Sequence, residues 1–458
     1  MTQDERKLFG TDGVRGTANI HPMTAPIALA LGQAAAHVFR GRKDSGRRFL
    51  IGKDTRLSGY MFEDALAAGI TSMGGSVIQV GPVPTPALAF LTSNMRCDAG
   101  VMITASHNPY RDNGIKFFGS DGFKLADEIE LRIEELISSS ELTDSLALPD
   151  DVGPARRIDD AQGRYIVFLK NTFPKEYSLD GIRVVLDCAN GAGYKVGPLV
   201  MRELGAEVFT LGVEPNGRNI NADCGSMCVE KTVAKVRELR ADVGIALDGD
   251  ADRAILVDEK GQIVDGDQIL DLCARDLVER DALAGRCVVA TVMSNLGLEK
   301  ALESYGAQLL RTQVGDRYVV EAMRLGEYNL GGEQSGHVIF LDHTTTGDGL
   351  MSALQVLGSM VRRERPLSEL TAGFQHFPQA TVNIPVSRRV PLDQLPSMQA
   401  AVRQVEEELE GGGRVLIRYS GTELKARIMV EGEDDARVEE LAKDLADKLK
   451  QTLAQEVT

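Results

Sequence analysis

Short apolar runs alternate with helical periodicities along most of this chain, and the pattern occurs three times. Each repeat has an apolar strand, a second strand introduced by glycine, and a third strand that leads into a polar loop. Between the strands, apolar residues recur at i, i+3 and i+4, as in 62–70 and 233–239. This alternation predicts parallel sheets with right-handed crossovers. The first two strands of each repeat are predicted at 48–52, 75–81, 182–187, 205–212, 287–291 and 306–312.

The length of the repeat, more than about a hundred residues, indicates related domains rather than a solenoid. With 458 residues the chain is too long for one hydrophobic core. Segments 138–154 and 373–385 are rich in Ser, Asp, Gly and Pro and look like boundaries. Beyond them the pattern changes to a helix, two strands and a helix, at 395–409, 414–418, 426–430 and 438–449.

The predicted fold class is therefore α/β. Three related α/β domains with mixed, mainly parallel sheets are followed by a small C-terminal α+β domain, all around one central cleft. The predicted domains cover 1–155, 156–256, 257–372 and 373–458.

Composition narrows the class of partner. An apolar content of 43% and a charged content of 26% are typical of soluble globular proteins. The balance of 51 basic and 67 acidic residues gives a net charge of −16, which argues against general binding to nucleic acid or an anionic membrane. The first residues lack the apolar segment of a signal peptide, so we expect a cytoplasmic protein. An anionic ligand would have to meet a local basic cluster.

The third strand of the first repeat ends in Ser106-His107-Asn108-Pro109. Open α/β sheets bind ligands at such strand ends, so Ser106 is a candidate nucleophile. Its alternative is a turn or cap residue whose hydroxyl only satisfies the backbone. A hydrolase elbow is excluded because the Gly-x-Ser-x-Gly frame is absent, and the adjacent His107 is expected to be poorly placed as a base.

The second loop is Asp248-Gly-Asp-Ala-Asp-Arg253. Carboxylates at alternating positions of a tight turn repel one another unless a hard divalent cation lies between them. An EF-hand is rejected because Arg253 stands where the sharp turn needs Gly and because the flanks are predicted strands. Three carboxylates leave open coordination positions, which favours Mg²⁺. The alternative is a solvated acidic turn.

The two remaining loops suggest recognition of a sugar and a phosphate. Glu333 and Ser335 lie among small residues, where a polyol can approach closely, and His337 is a candidate acid or base. The last loop joins two strands, and its Gly, hydroxyls and guanidiniums could cradle a phosphate. Its alternative is an ordinary hairpin turn. That loop is Arg418-Tyr-Ser-Gly-Thr-Glu423, followed by Arg427.

Together these motifs resemble those of the α-D-phosphohexomutases, in the same order and along the whole chain. Four such motifs in sequence are very specific. They are Thr104-Ala-Ser-His-Asn-Pro-Tyr-x-x-Asn-Gly-Ile-Lys116, Asp248-Gly-Asp-Ala-Asp-Arg253, Gly332-Glu-Gln-Ser-Gly-His337 and Arg418-x-Ser-Gly-Thr-Glu423.

The resemblance implies a reaction. Ser106 would be carried as phosphoserine and would pass its phosphoryl group to the 1-hydroxyl of glucosamine 6-phosphate. The resulting 1,6-bisphosphate would turn over and return a phosphoryl group from its 6-position, leaving glucosamine 1-phosphate for UDP-N-acetylglucosamine and cell-wall synthesis. One Mg²⁺ per chain and a hexosamine or hexose 1,6-bisphosphate activator are also implied. The implied metal ligands are Ser106, Asp248, Asp250 and Asp252.

The resemblance also assigns the other site residues. Arg15, Lys116 and Arg253 would stabilise charge on the transferring group. Lys116 and His337 are candidates for proton transfer, Lys116 only if neighbouring cations lower its pKa. The implied catalytic set is Ser106, Lys116, His337, Arg15, Arg253 and His107. The implied substrate-binding set is Glu333, Ser335, Arg418, Ser420, Gly421, Thr422 and Arg427.

Some features decide the branch of the family. The opening block 9–16, the block 215–226 and above all Gln334 favour an amino sugar, whereas phosphomannomutase/phosphoglucomutase enzymes more often carry Met at the Gln334 position. That branch remains the alternative, followed by a Mg²⁺-dependent sugar-phosphate phosphatase and a non-catalytic sensor. Tyr419 and Leu424-Lys425 depart from the family pattern, which usually has Pro after Glu423. The oligomeric state stays open, a homodimer included.

Overall fold

The computed structural model describes residues 8–10, 12–41, 47–386, 388–419 and 424–455. The chain divides into two compact units, Met1–Thr291 with Leu310–Ala372, and Val292–Leu309 with Gly373–Thr458. No helix in the described ranges combines the length and the apolar character needed to span a membrane.

The first α/β region forms one mixed sheet with helices. Its elements are β1 (Val14–Thr17), α1 (Ala25–Val38), β2 (Arg48–Lys53), α2 (Ser58–Ser72), β3 (Ser76–Pro82), α3 (Thr85–Asn94), β4 (Ala99–Ile103), β5 (Asp112–Gly119), α4 (Asp127–Ile137), α5 (Glu141–Asp144) and β6 (Ala155–Arg157). The strand order is β1-β5-β4-β2-β3-β6. Strand β2 is parallel to β3 and β4, whereas β5 is antiparallel to β4 and to β1.

The second α/β region follows directly. Its elements are α6 (Ala161–Thr172), β7 (Arg183–Asp187), α7 (Val196–Glu203), β8 (Glu207–Leu211), α8 (Glu230–Leu239), β9 (Val243–Leu247), β10 (Ala254–Asp258) and β11 (Ile263–Val264). The strand order is β11-β10-β9-β7-β8. Strand β7 is parallel to β8 and β9, and β10 is antiparallel to β9 and β11.

The third α/β region has a smaller sheet. Its elements are α9 (Gly266–Glu279), β12 (Cys287–Thr291), α10 (Leu296–Ser304), β13 (Gln308–Thr312), α11 (Asp316–Gly326), β14 (Leu330–Gly332), β15 (Val338–Phe340), α12 (Gly349–Arg363) and α13 (Leu367–Leu370). The strand order is β13-β12-β14-β15. Strand β12 is parallel to β14, and β15 is antiparallel to β14.

The three sheets share one strand order. If the strands of each repeat are counted from β2, β7 and β12, the order is fourth, third, first, second in every region. The first and third strands are parallel, and the fourth returns antiparallel to the third. This common topology confirms the three related α/β domains, and the returning fourth strand explains why the sheets are mixed.

The last region is the predicted α+β domain. Its elements are β16 (Gln379–Pro385), α14 (Pro396–Glu408), β17 (Arg414–Tyr419), β18 (Lys425–Glu431) and α15 (Asp435–Gln455). The sheet order is β16-β18-β17 with antiparallel pairs, and apolar residues of both helices share a core with it. Strand β16 lies inside segment 373–385, for which the composition indicated only a boundary.

Packing in the first region depends on two glycines where helices α1 and α2 meet. A Cβ on Gly69 would lie 2.2 Å from the carbonyl oxygen of Leu29, and a Cβ on Gly32 would lie 2.6 Å from that of Leu66. Because neither residue has a side chain, the two helices can pack at close range. Their apolar residues share one buried cluster with the strands of the first sheet, including Ile103 and Ile115 on the two strands that flank the Ser106 loop.

Candidate active site

The three polar loops predicted to carry the chemistry occupy equivalent places in the fold. Each one connects the third strand of a repeat to its antiparallel fourth strand, at 104–111, 248–253 and 333–337. All three belong to the larger compact unit. The repeated topology therefore brings together residues that are far apart in sequence.

Ser106 is buried, with 2% of its surface exposed, and its hydroxyl faces the second loop. Oγ donates a hydrogen bond to Oδ2 of Asp248 over 2.6 Å. The backbone N–H of Ser106 donates to Oγ1 of Thr104 over 2.9 Å, and the residue has a positive φ of 50°. Such a φ is uncommon for a residue with a side chain and occurs often at functional sites. The turn-residue alternative does not explain this contact between two regions.

The three aspartates of the second loop form the carboxylate cluster that the sequence predicted. Asp248, Asp250 and Asp252 are buried, and each offers an oxygen within 4.8 Å of the others. The loop runs from β9 to β10, so strands flank it as expected and an EF-hand is excluded. Thr85 donates its hydroxyl to Oδ2 of Asp250 over 2.6 Å, which fixes one carboxylate from the first region.

Two carboxyl groups of this cluster have pKa values shifted in opposite directions. Burial and the charges of Asp252 and Asp250 raise the pKa of Asp248 well above its ordinary value. Burial also acts to raise the pKa of Asp252, but His337 and the cations Lys116 and Arg253 outweigh it and lower that pKa. Within the described residues, Oδ1 of Asp250 and Oδ1 of Asp252 are buried without a hydrogen-bond partner. Buried carboxylate oxygens in this state suit a hard cation.

Lys116 lies on β5 beside this cluster, with 2% of its side chain exposed. Its Nζ is 3.4 Å from Oδ2 of Asp250 and 3.1 Å from Oδ2 of Asp12. Burial acts to lower the pKa of Lys116, but Asp12 and Asp250 outweigh it and raise that pKa. Proton transfer by Lys116 would require neighbouring cations to lower its pKa. In this structure the neighbours with the largest charge effect are the carboxylates Asp12 and Asp250, which raise the pKa instead.

The same cluster contains three residues that lie outside the predicted site: Asp12, Lys124 and Asp316. Asp12 forms an ion pair with Lys124, and Lys124 Nζ lies 2.6 Å from Oδ2 of Asp316. Burial acts to raise the pKa of Asp12, but Lys116, Lys124 and Arg15 lower it well below its ordinary value. Asp12 stands inside the quoted opening block, so its motif was available as a signal. Lys124 and Asp316 belong to separate regions, and no motif linked them.

His337 closes this network of charges. Its Nδ1 lies 3.6 Å from Oδ2 of Asp252, and its Nε2 lies 3.6 Å from Oδ2 of Asp316. The backbone N–H of Gly347 donates to Nε2 over 3.1 Å, which assigns the ring hydrogen of the neutral form to Nδ1. Burial acts to lower the pKa of His337, but Asp252 and Asp316 raise it.

The remaining catalytic candidates also lie near Ser106. His107 Nδ1 is 3.3 Å from Oγ of Ser106, so the ring lies within hydrogen-bond distance of the hydroxyl although the two residues are adjacent in sequence. Burial and the guanidiniums of Arg253 and Arg15 lower the pKa of His107. Arg15 pairs with Asp12, and Arg253 Nε lies 3.8 Å from Oδ1 of Asp252. Because the Ser106 hydroxyl donates to Asp248, the carboxylate is its observed acceptor.

The third loop presents one free hydroxyl and one engaged amide. Ser335 Oγ is buried and has no hydrogen-bond partner among the described residues. Glu333 accepts the backbone N–H of Gly315 at Oε1 over 3.2 Å. Gln334 Nε2 donates to Oδ2 of Asp265, the residue that caps α9, over 3.3 Å. The side chain on which the amino-sugar prediction relied thus supports the start of a helix in this structure.

Within the smaller unit, Arg418 and Arg427 face each other in the register of β17 and β18. Burial and the charge of Arg427 lower the pKa of Arg418. Tyr419 donates its hydroxyl to the carbonyl of Val390 over 2.7 Å, and Leu424 accepts from the N–H of Val386 over 3.0 Å. The departures from the family pattern are therefore anchored by their neighbours. The predicted phosphate-binding residues Ser420, Gly421 and Thr422 lie outside the described residues.

Comparison with known proteins gives the class. Families described as phosphoglucomutase/phosphomannomutase match the chain in order, with alpha/beta/alpha domain I at 6–144, domain II at 163–261, domain III at 265–377 and the C-terminal domain at 382–448. Among solved structures, a phosphoglucomutase/phosphomannomutase family protein of Burkholderia thailandensis has a TM-score of 0.81 at 24% identity, over 99% of this chain and 98% of that one. Aspergillus fumigatus N-acetylphosphoglucosamine mutase, solved with GlcNAc-6P and magnesium, has a TM-score of 0.68 at 19% identity, over 98% and 96%.

Two sequence relatives indicate the branch of the phosphoglucomutase/phosphomannomutase families to which the chain belongs. A phosphoglucosamine mutase of Syntrophotalea carbinolica is 58% identical over 449 residues, which covers 98% of both chains. A phosphoglucosamine mutase of Nitratidesulfovibrio vulgaris is 58% identical over 448 residues, 98% of this chain and 99% of the relative. The chain belongs to the phosphohexomutases, isomerases that work by phosphoryl transfer. Within that class it belongs to the phosphoglucosamine mutase family.

Proposed function

We propose that this chain interconverts glucosamine 6-phosphate and glucosamine 1-phosphate, with Ser106 carrying the phosphoryl group between them. The observation that supports this most directly is the 2.6 Å hydrogen bond from Ser106 to Asp248, inside the buried aspartate cluster. A nucleophile against a cation site is the arrangement that phosphoryl transfer needs, because catalysis is mostly positioning and charge neutralisation. We take the sugar to be glucosamine because the two relatives at 58% identity are phosphoglucosamine mutases.

The cation that fits this site is Mg²⁺. Asp248, Asp250 and Asp252 would hold it together with an oxygen of phosphorylated Ser106, and the partnerless oxygens of Asp250 and Asp252 support that assignment. When bound, it would neutralise charge on the phosphoryl oxygens. The Aspergillus enzyme of the same fold was solved with magnesium, which is consistent with this choice.

The chain's own cations complete the phosphoryl site. Lys116 and Arg253 lie beside the aspartate cluster, and Arg15 lies close enough to pair with Asp12. In this role they stabilise the negative charge on the transferring group. His337, beside Asp252, remains a candidate for holding or moving a proton, and His107, 3.3 Å from the Ser106 hydroxyl, becomes a second one. The raised pKa of Lys116 disfavours that residue in this role.

Sugar and distal phosphate are assigned to the two other loops. The carboxylate of Glu333 and the partnerless hydroxyl of Ser335 would bind sugar hydroxyls in either orientation of the substrate. Arg418 and Arg427, with the loop 420–422, would bind the phosphate that is not reacting. A trace of hexose 1,6-bisphosphate would act as activator by transferring a phosphoryl group to Ser106.

The test is a comparison of kcat/KM for glucosamine, glucose and mannose 6-phosphates, with Mg²⁺ and a trace of glucose 1,6-bisphosphate. We expect a strong preference for the glucosamine substrate and its abolition in Ser106→Ala. Ser178→Ala is the matched control, because that exposed hydroxyl donates a hydrogen bond to Asp180 and has no other hydrogen-bond partner among the described side chains. Preference for the other sugars would move the chain to the phosphomannomutase/phosphoglucomutase alternative. Release of free phosphate without isomerisation would instead support the phosphatase alternative.

A further inference from the structure

The carbonyl oxygen of Ser106 is held by two side chains from different α/β regions. Nη2 of Arg56 and Nδ2 of Asn221 each donate to it over 2.9 Å. Both groups also donate to the carbonyl of Asn108, over 2.8 and 3.0 Å. We propose that Arg56 and Asn221 are positioning residues that hold Ser106 in the geometry needed for phosphoryl transfer. This inference rests on the proposed function, in which Ser106 carries the phosphoryl group.

Arg56 is fully buried, and its guanidinium donates hydrogen bonds to several carbonyls of the Ser106 loop. Besides the carbonyls of Ser106 and Asn108, it donates to those of Pro109 and Asp112. Its Nε donates to Oδ2 of Asp54 over 2.8 Å, which supplies the counterion that a buried charge requires. A planar fork can bind several carbonyls in one loop at fixed relative positions, which an ammonium group cannot do.

Asp54 extends the same network to the N–H side of the nucleophile. Its Oδ2 accepts the hydroxyl of Thr104 over 2.8 Å, and Oγ1 of Thr104 accepts the N–H of Ser106 over 2.9 Å. The backbone of Ser106 is therefore bound on both sides, at its N–H and at its carbonyl. The side chain is left to face Asp248.

Asn221 joins this loop to the second region, which carries the aspartates. Asn221 itself has a positive φ of 59°, and its N–H donates to the carbonyl of Ala189 over 2.9 Å. Gly249, between two of the aspartates, packs against the same atoms. A Cβ there would lie 2.6 Å from the carbonyl oxygen of Ser106 and 2.8 Å from Nδ2 of Asn221. The contact therefore fixes Ser106 relative to the aspartate loop.

The backbone conformation of Ser106 explains why these hydrogen bonds are needed. Its φ of 50° is unfavourable for a residue with a Cβ, and such a conformation persists only where its surroundings over-determine it. Without the donors on its carbonyl, the loop can relax and move Oγ away from the aspartates. Misplacement of a reacting group by roughly 1 Å can cost about 100-fold in rate.

Asn221→Asp is the sharpest test, because Asp has nearly the same shape and tolerates positive φ but replaces the amide donor with a carboxylate oxygen. That oxygen would face the carbonyls of Ser106 and Asn108. We expect kcat, and the rate at which glucose 1,6-bisphosphate phosphorylates Ser106, to fall by about 100-fold. The KM for glucosamine 6-phosphate should stay unchanged, because Asn221 contacts the nucleophile loop rather than the residues assigned to the sugar. Phosphorylation is followed by the intact mass of the protein.

The control is Asn219→Asp in the same segment, where Nδ2 donates to Glu214 and Oδ1 accepts from Asn216. It makes the same chemical change without touching Ser106, so kcat should remain that of the wild type. Asn221→Ala removes the donor without adding repulsion, should give a smaller fall in kcat, and carries the test if Asn221→Asp does not fold.

The outcomes separate this inference from the proposed function. If the wild type is never phosphorylated on Ser106, the proposed function fails, and the inference fails with it. If the wild type is phosphorylated and isomerises its substrate, but folded Asn221→Asp and Asn221→Ala keep the wild-type kcat, only the positioning role is overturned. A variant that changes only the melting temperature, or only KM, also overturns it. A loss confined to kcat and to the phosphorylation rate supports it.

Discussion

Tyr165 donates its hydroxyl to Oδ2 of Asp348 over 2.6 Å, and both side chains are fully buried. Tyr165 lies on α6 of the second region, and Asp348 caps the N-terminus of α12 in the third. The other oxygen of Asp348 accepts the N–H of Met351 over 3.0 Å. One carboxylate therefore connects two regions of the larger unit and begins a helix.

The first prediction follows from the pKa of this carboxyl group. Burial raises the pKa of Asp348 to about 6 from an ordinary 3.8, against the lowering effect of its hydrogen bonds. The folded state thus binds this proton more tightly than the unfolded state. The stabilisation is full below the unfolded pKa, near 4, and is lost as the pH rises through about 6, roughly 3 kcal/mol in total.

Asp348→Asn isolates this effect, because the amide has no proton to lose. Urea unfolding of metal-free protein should show the variant becoming more stable relative to the wild type between pH 4 and pH 7, by up to about 3 kcal/mol. Taking the difference between the two proteins cancels the titration of other groups. A difference that is flat across this range would contradict the raised pKa.

The second prediction concerns the aspartate cluster. Burial and two neighbouring carboxylates raise the pKa of Asp248 well above its ordinary value, so its negative charge is costly when no cation is bound. Asp248→Asn removes that charge and should therefore raise the free energy of unfolding in EDTA. Mg²⁺ at a hundredfold excess over its Kd should stabilise the wild type by about 2.7 kcal/mol. That gain should disappear in the variant.

Thermal unfolding with and without Mg²⁺ checks this, and Asp159→Asn is the control. The side chain of Asp159 is 96% exposed, so neutralising it should leave the Mg²⁺ effect intact. An equal Mg²⁺ shift in wild type and Asp248→Asn would show that the aspartates do not hold the cation.

How much was predictable from the sequence depended on whether a feature lies in one contiguous motif. Ser106 and the three aspartates each stand in a short loop between apolar strands, so pattern and chemistry together identified them. Their strand-end positions then followed from the repeat, and the shared strand order bears this out.

Contacts assembled across regions were beyond such reasoning. Asp12, Lys124 and Asp316 come from three separate segments, and only the tertiary fold makes them neighbours. Gln334 is a different case: it indicated the amino-sugar branch, which the relatives confirm, but its hydrogen bond to Asp265, the cap of α9, could not be read from the motif. Local composition also hid β16, because the glycines and prolines around it indicated a boundary.

The third prediction uses two glycines with opposite surroundings. A Cβ on Gly347 would lie 2.5 Å from Cε1 of His337, so Gly347→Ala must displace the buried ring from its place beside Asp252 and Asp316. We expect a loss of about 1–3 kcal/mol of stability and a lower kcat/KM. A Cβ added to Gly163, in helix α6, would have no neighbour within 4 Å among the described residues, so Gly163→Ala should gain about 0.5–1 kcal/mol. Urea unfolding and steady-state kinetics of both variants test this prediction. A Gly347→Ala variant with wild-type stability and wild-type kcat/KM would contradict it.

The fourth prediction concerns the paired guanidiniums of the smaller unit. Arg418 and Arg427 are direct neighbours across β17 and β18, and burial together with Arg427 lowers the pKa of Arg418. Holding two cations side by side is unfavourable unless an anion binds them, and charged hydrogen bonds of about 1.5–3 kcal/mol would make that anion tightly held.

If Arg427 binds the distal phosphate as proposed, Arg427→Gln should raise the KM for glucosamine 6-phosphate by roughly 10- to 100-fold. Folding should stay intact, because the change relieves the repulsion between the two guanidiniums. Added salt should raise KM more steeply in the wild type than in the variant, since it screens the charges that bind substrate. Arg437→Gln is the matched control: Arg437 pairs with Glu408 and Glu440 on the surface and should change neither parameter. If Arg427→Gln kept the wild-type KM and its salt dependence, the distal phosphate would have to bind elsewhere.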